Sequence, residues 1–216
     1  MLPSNVVRRQ RLRLAACLLL FFPGALAAQE ALASGASGDV LALSADLRED
    51  QTAHLWRVGA WGAANVAGGL VLIALSDLEA DRMRRAFGIQ SAAWGAINMG
   101  IAGIGLASGP GEASGEWAAA FGAENGYADI LLVNLGLNVG YAAVGTTMYV
   151  AGRRGAPNAD LWKGHGAALI LQGAGLFVLD GIAYLASRQR LGGLVELVDA
   201  TALTVTASGV GVTVGF

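Results

Sequence analysis

Ala60-Trp61-Gly62-Ala63-Ala64-Asn65-Val66 and Ala93-Trp94-Gly95-Ala96-Ile97-Asn98-Met99 are near copies of one another, and each lies inside an apolar run long enough to cross a bilayer. Positions four apart on an α-helix lie about 40° apart around its axis, so Arg57, Trp61 and Asn65 form one stripe. Gln90, Trp94 and Asn98 form its counterpart. Small residues occupy much of the remaining surface at the same spacing, Gly59 with Ala63 and Ala67 on one copy, Ala92 with Ala96 and Gly100 on the other. In lipid, where helices associate by packing and hydrogen bonding, such small residues let backbones approach closely. The repeat therefore predicts a packed antiparallel pair. It brings Asn65 and Asn98 to mid-depth from opposite directions, where the two carboxamides meet or face one cavity.

Composition agrees with a membrane chain. Of 216 residues, 55% are hydrophobic and only 14% charged, with a mean hydropathy of +0.54, which is wrong for a soluble domain. The net charge of −2 and the absence of a clustered basic face argue against a nucleic-acid partner. The 32 glycines are spread through the apolar runs, which fits close helix packing better than a phosphate loop. The single cysteine, Cys17, falls in the N-terminal segment, so the remainder has no disulfide and no cysteine-based metal site.

Arg8, Arg9, Arg11 and Arg13 precede an apolar core from Leu14 to Phe22 and an Ala25-Leu26-Ala27 site, the pattern of a secretory signal peptide over 1–27. Residues 28–50 read as a flexible, Ala-, Ser- and Gly-rich extracytoplasmic linker. Four apolar runs follow at about 55–75, 86–107, 130–150 and 164–186 within a transmembrane domain of 51–190; a crossing helix needs about 20 such residues. The connections after the first and third runs carry Arg82, Arg84 and Arg85, and Arg153, Arg154 and Lys163. The connection after the second carries Glu112, Glu116, Glu124 and Asp129 and no basic residue. The positive-inside rule puts the basic connections in the cytoplasm and both mature termini outside. In the tail, 191–216, the alternating runs Thr201–Ala207 and Val210–Phe216 flank Ser208-Gly209, a β-hairpin signal. A β-barrel for the whole chain is set aside, since barrel strands alternate over about ten residues.

Each run carries an amide near its middle: Asn65, Asn98, Asn138 with Asn134 one turn away, and Gln172. Unpaired amides are costly in lipid, so these should point into the bundle, as an interhelical network or as the wall of a pocket. Asp180 shares an arc of about 80° with Gln172 and His165 on the fourth run. An ionisable residue there is a candidate for proton or cation handling, although its nearness to the outer end also suits an interfacial carboxylate. Trp61 and Trp94 could wall a flat ligand or simply pack. The candidate polar core or ligand pocket is thus Trp61, Asn65, Trp94, Asn98, Asn134, Asn138, Gln172 and Asp180. No catalytic constellation, cofactor or metal site is visible. The two histidines, His54 and His165, fall at opposite ends and cannot ligate one haem.

The W-G-A-x-N repeat, the acidic second connection, Leu135-Gly136-Leu137-Asn138-Val139-Gly140-Tyr141 and Leu171-Gln172-Gly173 give the chain a likeness. From about Leu47 to Phe216 it resembles an uncharacterised family of small bacterial membrane proteins with four spans. The resemblance implies the fold and a bacterial envelope, and brings no catalytic residues with it. The expected fold is an all-α, four-helix transmembrane bundle with a short C-terminal β-hairpin, in the bacterial inner membrane. The expected role is non-enzymatic, structural or interactive, with the lipid bilayer, a second copy or another envelope protein as partner. The competing role is a small oligomeric transporter, or a lipid- or small-molecule-binding module that uses the amides and Asp180.

Overall fold

Glycines at seven-residue intervals draw the chain into two hairpins. The computed structural model describes the backbone of residues 23–207 and the side chains of 37–198. Among the described residues it contains four helices: α1 (Pro23–Ala74), α2 (Arg82–Ser108), α3 (Trp117–Arg153) and α4 (Ala159–Ala207). Between α1 and α2, a Cβ on Gly62 would lie 2.7 Å from the Gly95 carbonyl oxygen, and one on Gly88 would lie 2.7 Å from that of Gly69. Between α3 and α4 the same holds for Gly145 against Gly166 (2.6 Å), Gly152 against Ala159 (2.6 Å) and Gly173 against Asn138 (2.5 Å). No side chain fits at those distances, so only glycine lets these backbones touch. A seven-residue repeat of contacts is that of left-handed, near-antiparallel packing. The buried positions of α2, Gly88, Ser91, Gly95, Asn98 and Ala102, alternate by three and four in the same way.

The two hairpins meet chiefly through α4, which packs against all three other helices. Short turns at one end hold the hairpins closed. In the first, the Asp77 carboxylate accepts the Glu79 and Ala80 amides at 2.8 and 2.9 Å. Those two N–H groups, Ala80 first, hold its carboxyl below the usual carboxylate range. Arg84 ties the same turn together through Ser76 Oγ, Asp81 and the Leu75 carbonyl. In the turn between α3 and α4, Gly155 and Asn158 adopt φ of 85° and 57°, the left-handed region that Gly and Asn tolerate.

The apolar side chains are arranged inside out. Buried apolar groups form only small clusters, one of Val58, Ala102 and Leu176 beside Trp61, another of Val40, Ala120 and Leu194 at the far end. Large apolar residues such as Ile101, Ile104, Ile130, Val133, Val178 and Leu185 stand exposed. Three helical segments, Ser37–Ala74, Trp117–Arg153 and Ala159–Val198, are long and apolar enough to cross a membrane. The segment expected at 86–107 lies in α2, which is not among them, because Gln90, Ser91, Asn98 and its glycines dilute its apolar content.

The expected C-terminal β-hairpin is overturned. Thr201–Ala207, its first strand, is the last stretch of α4, and no strand occurs among the described residues. Val210–Phe216 lies outside them. An existing helix extends without a new nucleation cost, and β-branched residues oppose this by only a few tenths of a kcal/mol each; a lone hairpin is marginal in water. Residues 28–50, read as a linker, are also helical and belong to α1. Their Val40, Ser44 and Leu47 are buried, and Val40 packs on Ala120 and Leu194. The basic and apolar parts of the signal segment, residues 1–22, lie outside the described residues. At 52 residues α1 is about 78 Å long, far more than the roughly 30 Å of a bilayer core, so the bundle projects well beyond any apolar band.

Candidate functional site

Polar side chains are stacked in layers along the bundle axis, and α4 contributes to each. Measured along α4 from Ala159 at 1.5 Å per residue, Gln172 lies about 20 Å up, Asp180 about 32 Å and Arg190 about 47 Å.

Gln172 is the hub of the first layer. Its Oε1 accepts the Trp61 indole N–H at 3.0 Å and the Asn98 amide at 3.4 Å, and its Nε2 donates to Asn65 Oδ1 at 2.6 Å. Asn65 Nδ2 donates in turn to the Trp61 carbonyl at 2.7 Å. The repeat thus does converge, but Asn65 and Asn98 do not bond each other; Gln172 sits between them. Gly175, one turn along α4, gives the Trp61 ring its place, since any Cβ there would strike it. Trp94 does not share that place. It packs on Tyr141 of α3, ring centroids 4.9 Å apart, so the two tryptophans form no common wall. Asn134 is half-buried and outside the network. Nearer the turns, His165 Nδ1 meets Gln90 Oε1 at 3.0 Å.

Asp180 anchors the second layer. It is buried, and its two oxygens meet His54 Nε2 at 3.1 Å and Asn138 Nδ2 at 2.7 Å. This links α1, α3 and α4. Val58, Ala102 and Leu176 belong to the turns of α1, α2 and α4 between the first layer and the second.

The third layer is ionic. Arg190 donates to Glu124 through Nε at 2.7 Å and Nη2 at 3.2 Å, and through Nη1 to Asp50. Ser187 Oγ also donates to Glu124. Glu124 is 1% exposed and Arg190 8%, so the pair is taken out of solvent and needs each of these bonds to offset the cost of desolvation. Beside it opens a cleft of about 410 Å³ between Leu43, Asp46, Glu49 and Asp50 of α1 and Gln189 and Arg190 of α4. Among the described residues no three His, Cys, Asp or Glu side chains form a metal-ligand set.

The layers also take in His54, Glu124, Ser187 and Arg190, none of which is among the residues expected in the polar core. Glu124, expected in the acidic connection, lies inside α3. A signal was present: Gly166, Gly173, Asp180, Ser187 and Leu194 continue one seven-residue row along α4, as Glu124, Leu131, Asn138, Gly145 and Gly152 do along α3. Both rows run through the apolar segments and on past them.

A family model described as a family of unknown function, DUF6992, matches residues 57–181. That stretch holds the whole amide layer and the second layer apart from His54. No curated protein and no solved structure matches the chain.

Proposed function

Because the chain belongs to a family of unknown function, DUF6992, we propose from its own residues that it is a non-enzymatic, multi-pass scaffold of the bacterial inner membrane. Its buried amides pin the helices in register, and its helical projection outside the bilayer meets another copy or another envelope component. One observation carries the reading: the Gln172 carboxamide is consumed by Trp61, Asn65 and Asn98. A ligand pocket at that depth needs those groups free; a structural pin needs them paired, as they are. The orientation follows from the basic turns, with Arg82, Arg85, Arg153 and Arg154 cytoplasmic and the long ends of α1 and α4 outside. The α2 helix completes the bundle as a crossing segment, its exposed Ile97, Ile101 and Ile104 facing lipid.

Native mass spectrometry of a mild-detergent extract tests the role. The expected result is the mass of the chain or its oligomers, free of any stoichiometric small molecule. A metabolite or quinone retained by the natural chain and lost from Gln172→Leu would overturn it. Single cysteines placed at Ser76 and Ser114 test the orientation, since the only natural cysteine is Cys17. A membrane-impermeant maleimide should label Ser114→Cys in intact spheroplasts and Ser76→Cys only after lysis.

A further inference from the structure

Beyond the amide layer the bundle buries more negative charge than positive. Two buried carboxylates, Glu124 and Asp180, and the more exposed Asp50 face one guanidinium, Arg190. Arg190 gives all of its bonds to Glu124 and Asp50. Asp180 receives none of them; it meets only His54 and Asn138, and Asn138 brings no charge. The other neighbouring cations do not supply the balance: Arg57 is exposed, and Arg48 turns to Gln51. The buried face of α2 offers no charged group at all. A carboxylate in such a place is costly unless a positive charge stands beside it. The group within reach that can acquire one is the His54 imidazole, 3.1 Å away.

Two further atoms point to the same place. His54 is 7% exposed, and its Nδ1 is buried without a hydrogen-bond partner. The Tyr127 hydroxyl on α3 is likewise buried and unpartnered. Along α3 it lies between Glu124 of the ionic layer and Asn138 of the second layer. A buried polar atom without a partner in a native core calls for an explanation, and a functional role is one. The way in is from the cleft, where Asp50 and Arg190 form part of the wall. Toward the turns, the cluster of Val58, Ala102 and Leu176 closes the site off.

We propose that His54 and Asp180 form a proton-binding site served from the α1–α4 cleft. A proton from water in the cleft adds to the free ring nitrogen of His54. The imidazolium so formed is held by the Asp180 carboxylate. Release runs the same way in reverse, and no other bond changes. Bound, the proton clamps α1 to α4 at the point where the bundle leaves the apolar band.

The test uses nitrogen NMR of the full chain in lipid nanodiscs with labelled histidine. There are only two histidines, so a His165→Asn variant assigns both. At neutral pH His54 should show the imidazolium signature, with both ring nitrogens protonated. Asp180→Asn should convert it to a neutral ring. A neutral His54 in the natural chain overturns the proposal without any variant at position 180. An imidazolium that persists in folded Asp180→Asn overturns the role of Asp180.

Discussion

Gln172 makes three side-chain hydrogen bonds to three residues on two other helices, whereas Asn134, also an amide in an apolar run, stands outside the network. The difference predicts opposite outcomes for the same change of chemistry. Gln172→Leu strands the Trp61 indole N–H and the Asn65 and Asn98 amides, which costs about 1–3 kcal/mol for each buried group that finds no substitute. Asn134→Leu should shift stability by no more than about 0.5 kcal/mol. Thermal unfolding in one detergent, followed by circular dichroism, separates the two. At the turn between α1 and α2, the Asp77 carboxyl is held low by the Ala80 and Glu79 amides. A carboxyl whose folded value lies below its unfolded one contributes at neutral pH, and loses that contribution as pH falls through the folded value. Hydrogen exchange at Glu79 and Ala80 should therefore be faster in Asp77→Ala at neutral pH, with the natural chain approaching the variant as the solution becomes strongly acidic.

The helices are set by what their glycines permit. At Gly95 a Cβ would stand 2.5 Å from the Gly62 carbonyl oxygen, while at Gly100, one turn on, it would meet nothing within 4 Å. Gly95→Leu should force α1 and α2 apart and cost about 1–3 kcal/mol or more. Gly100→Ala should be neutral or stabilise by about 0.5–1 kcal/mol through helix propensity alone. Resistance to unfolding in graded sodium dodecyl sulfate reads both. Much of this was legible beforehand: the W-G-A-x-N repeat marks the α1–α2 seam, and Gly62 and Gly95 within it are the contact. The convergence of Asn65 and Asn98 was legible too, but the residue between them was not, because the repeat gives no account of a third helix. The tail was misread for a physical reason. Alternating Thr and Val from Thr201 to Ala207 carry a real β preference, but a preference of tenths of a kcal/mol yields to a helix already running into them. His54 is buried against Asp180 although it stands at the apolar edge beside Leu55, because the bundle keeps its interior on both sides of that edge.

On the scale of the whole molecule, two hairpins are each closed by backbone contact and joined to one another by polar layers and by the close approach of Gly164 on α4 to Met83 and Ala86 on α2. Within a hairpin the seam is glycine against glycine or small residue, a contact that lipid cannot replace but that needs no third helix. Between hairpins the side-chain bonds are Trp61 and Asn65 to Gln172, Asn98 to Gln172, Gln90 to His165, His54 to Asp180, Asp50 to Arg190 and Arg82 to Asn158. All but the last end on α4. The chain should accordingly tolerate being cut between α2 and α3, in the stretch that contains Gly111 with its left-handed φ of 76°. Residues 1–111 and 112–216, prepared separately in nanodiscs and mixed, should each be helical by circular dichroism and should associate one to one in a pull-down. Gln172→Leu combined with Asp180→Leu in the second fragment should weaken association while leaving its helicity intact, because the α3–α4 seam at Gly145, Gly152, Gly166 and Gly173 uses neither side chain. Association of undiminished strength would mean that the bonds left in place, Gln90 to His165 and Asp50 to Arg190, and apolar packing around Val58, Ala102 and Leu176 join the halves; the two central layers would then set register alone.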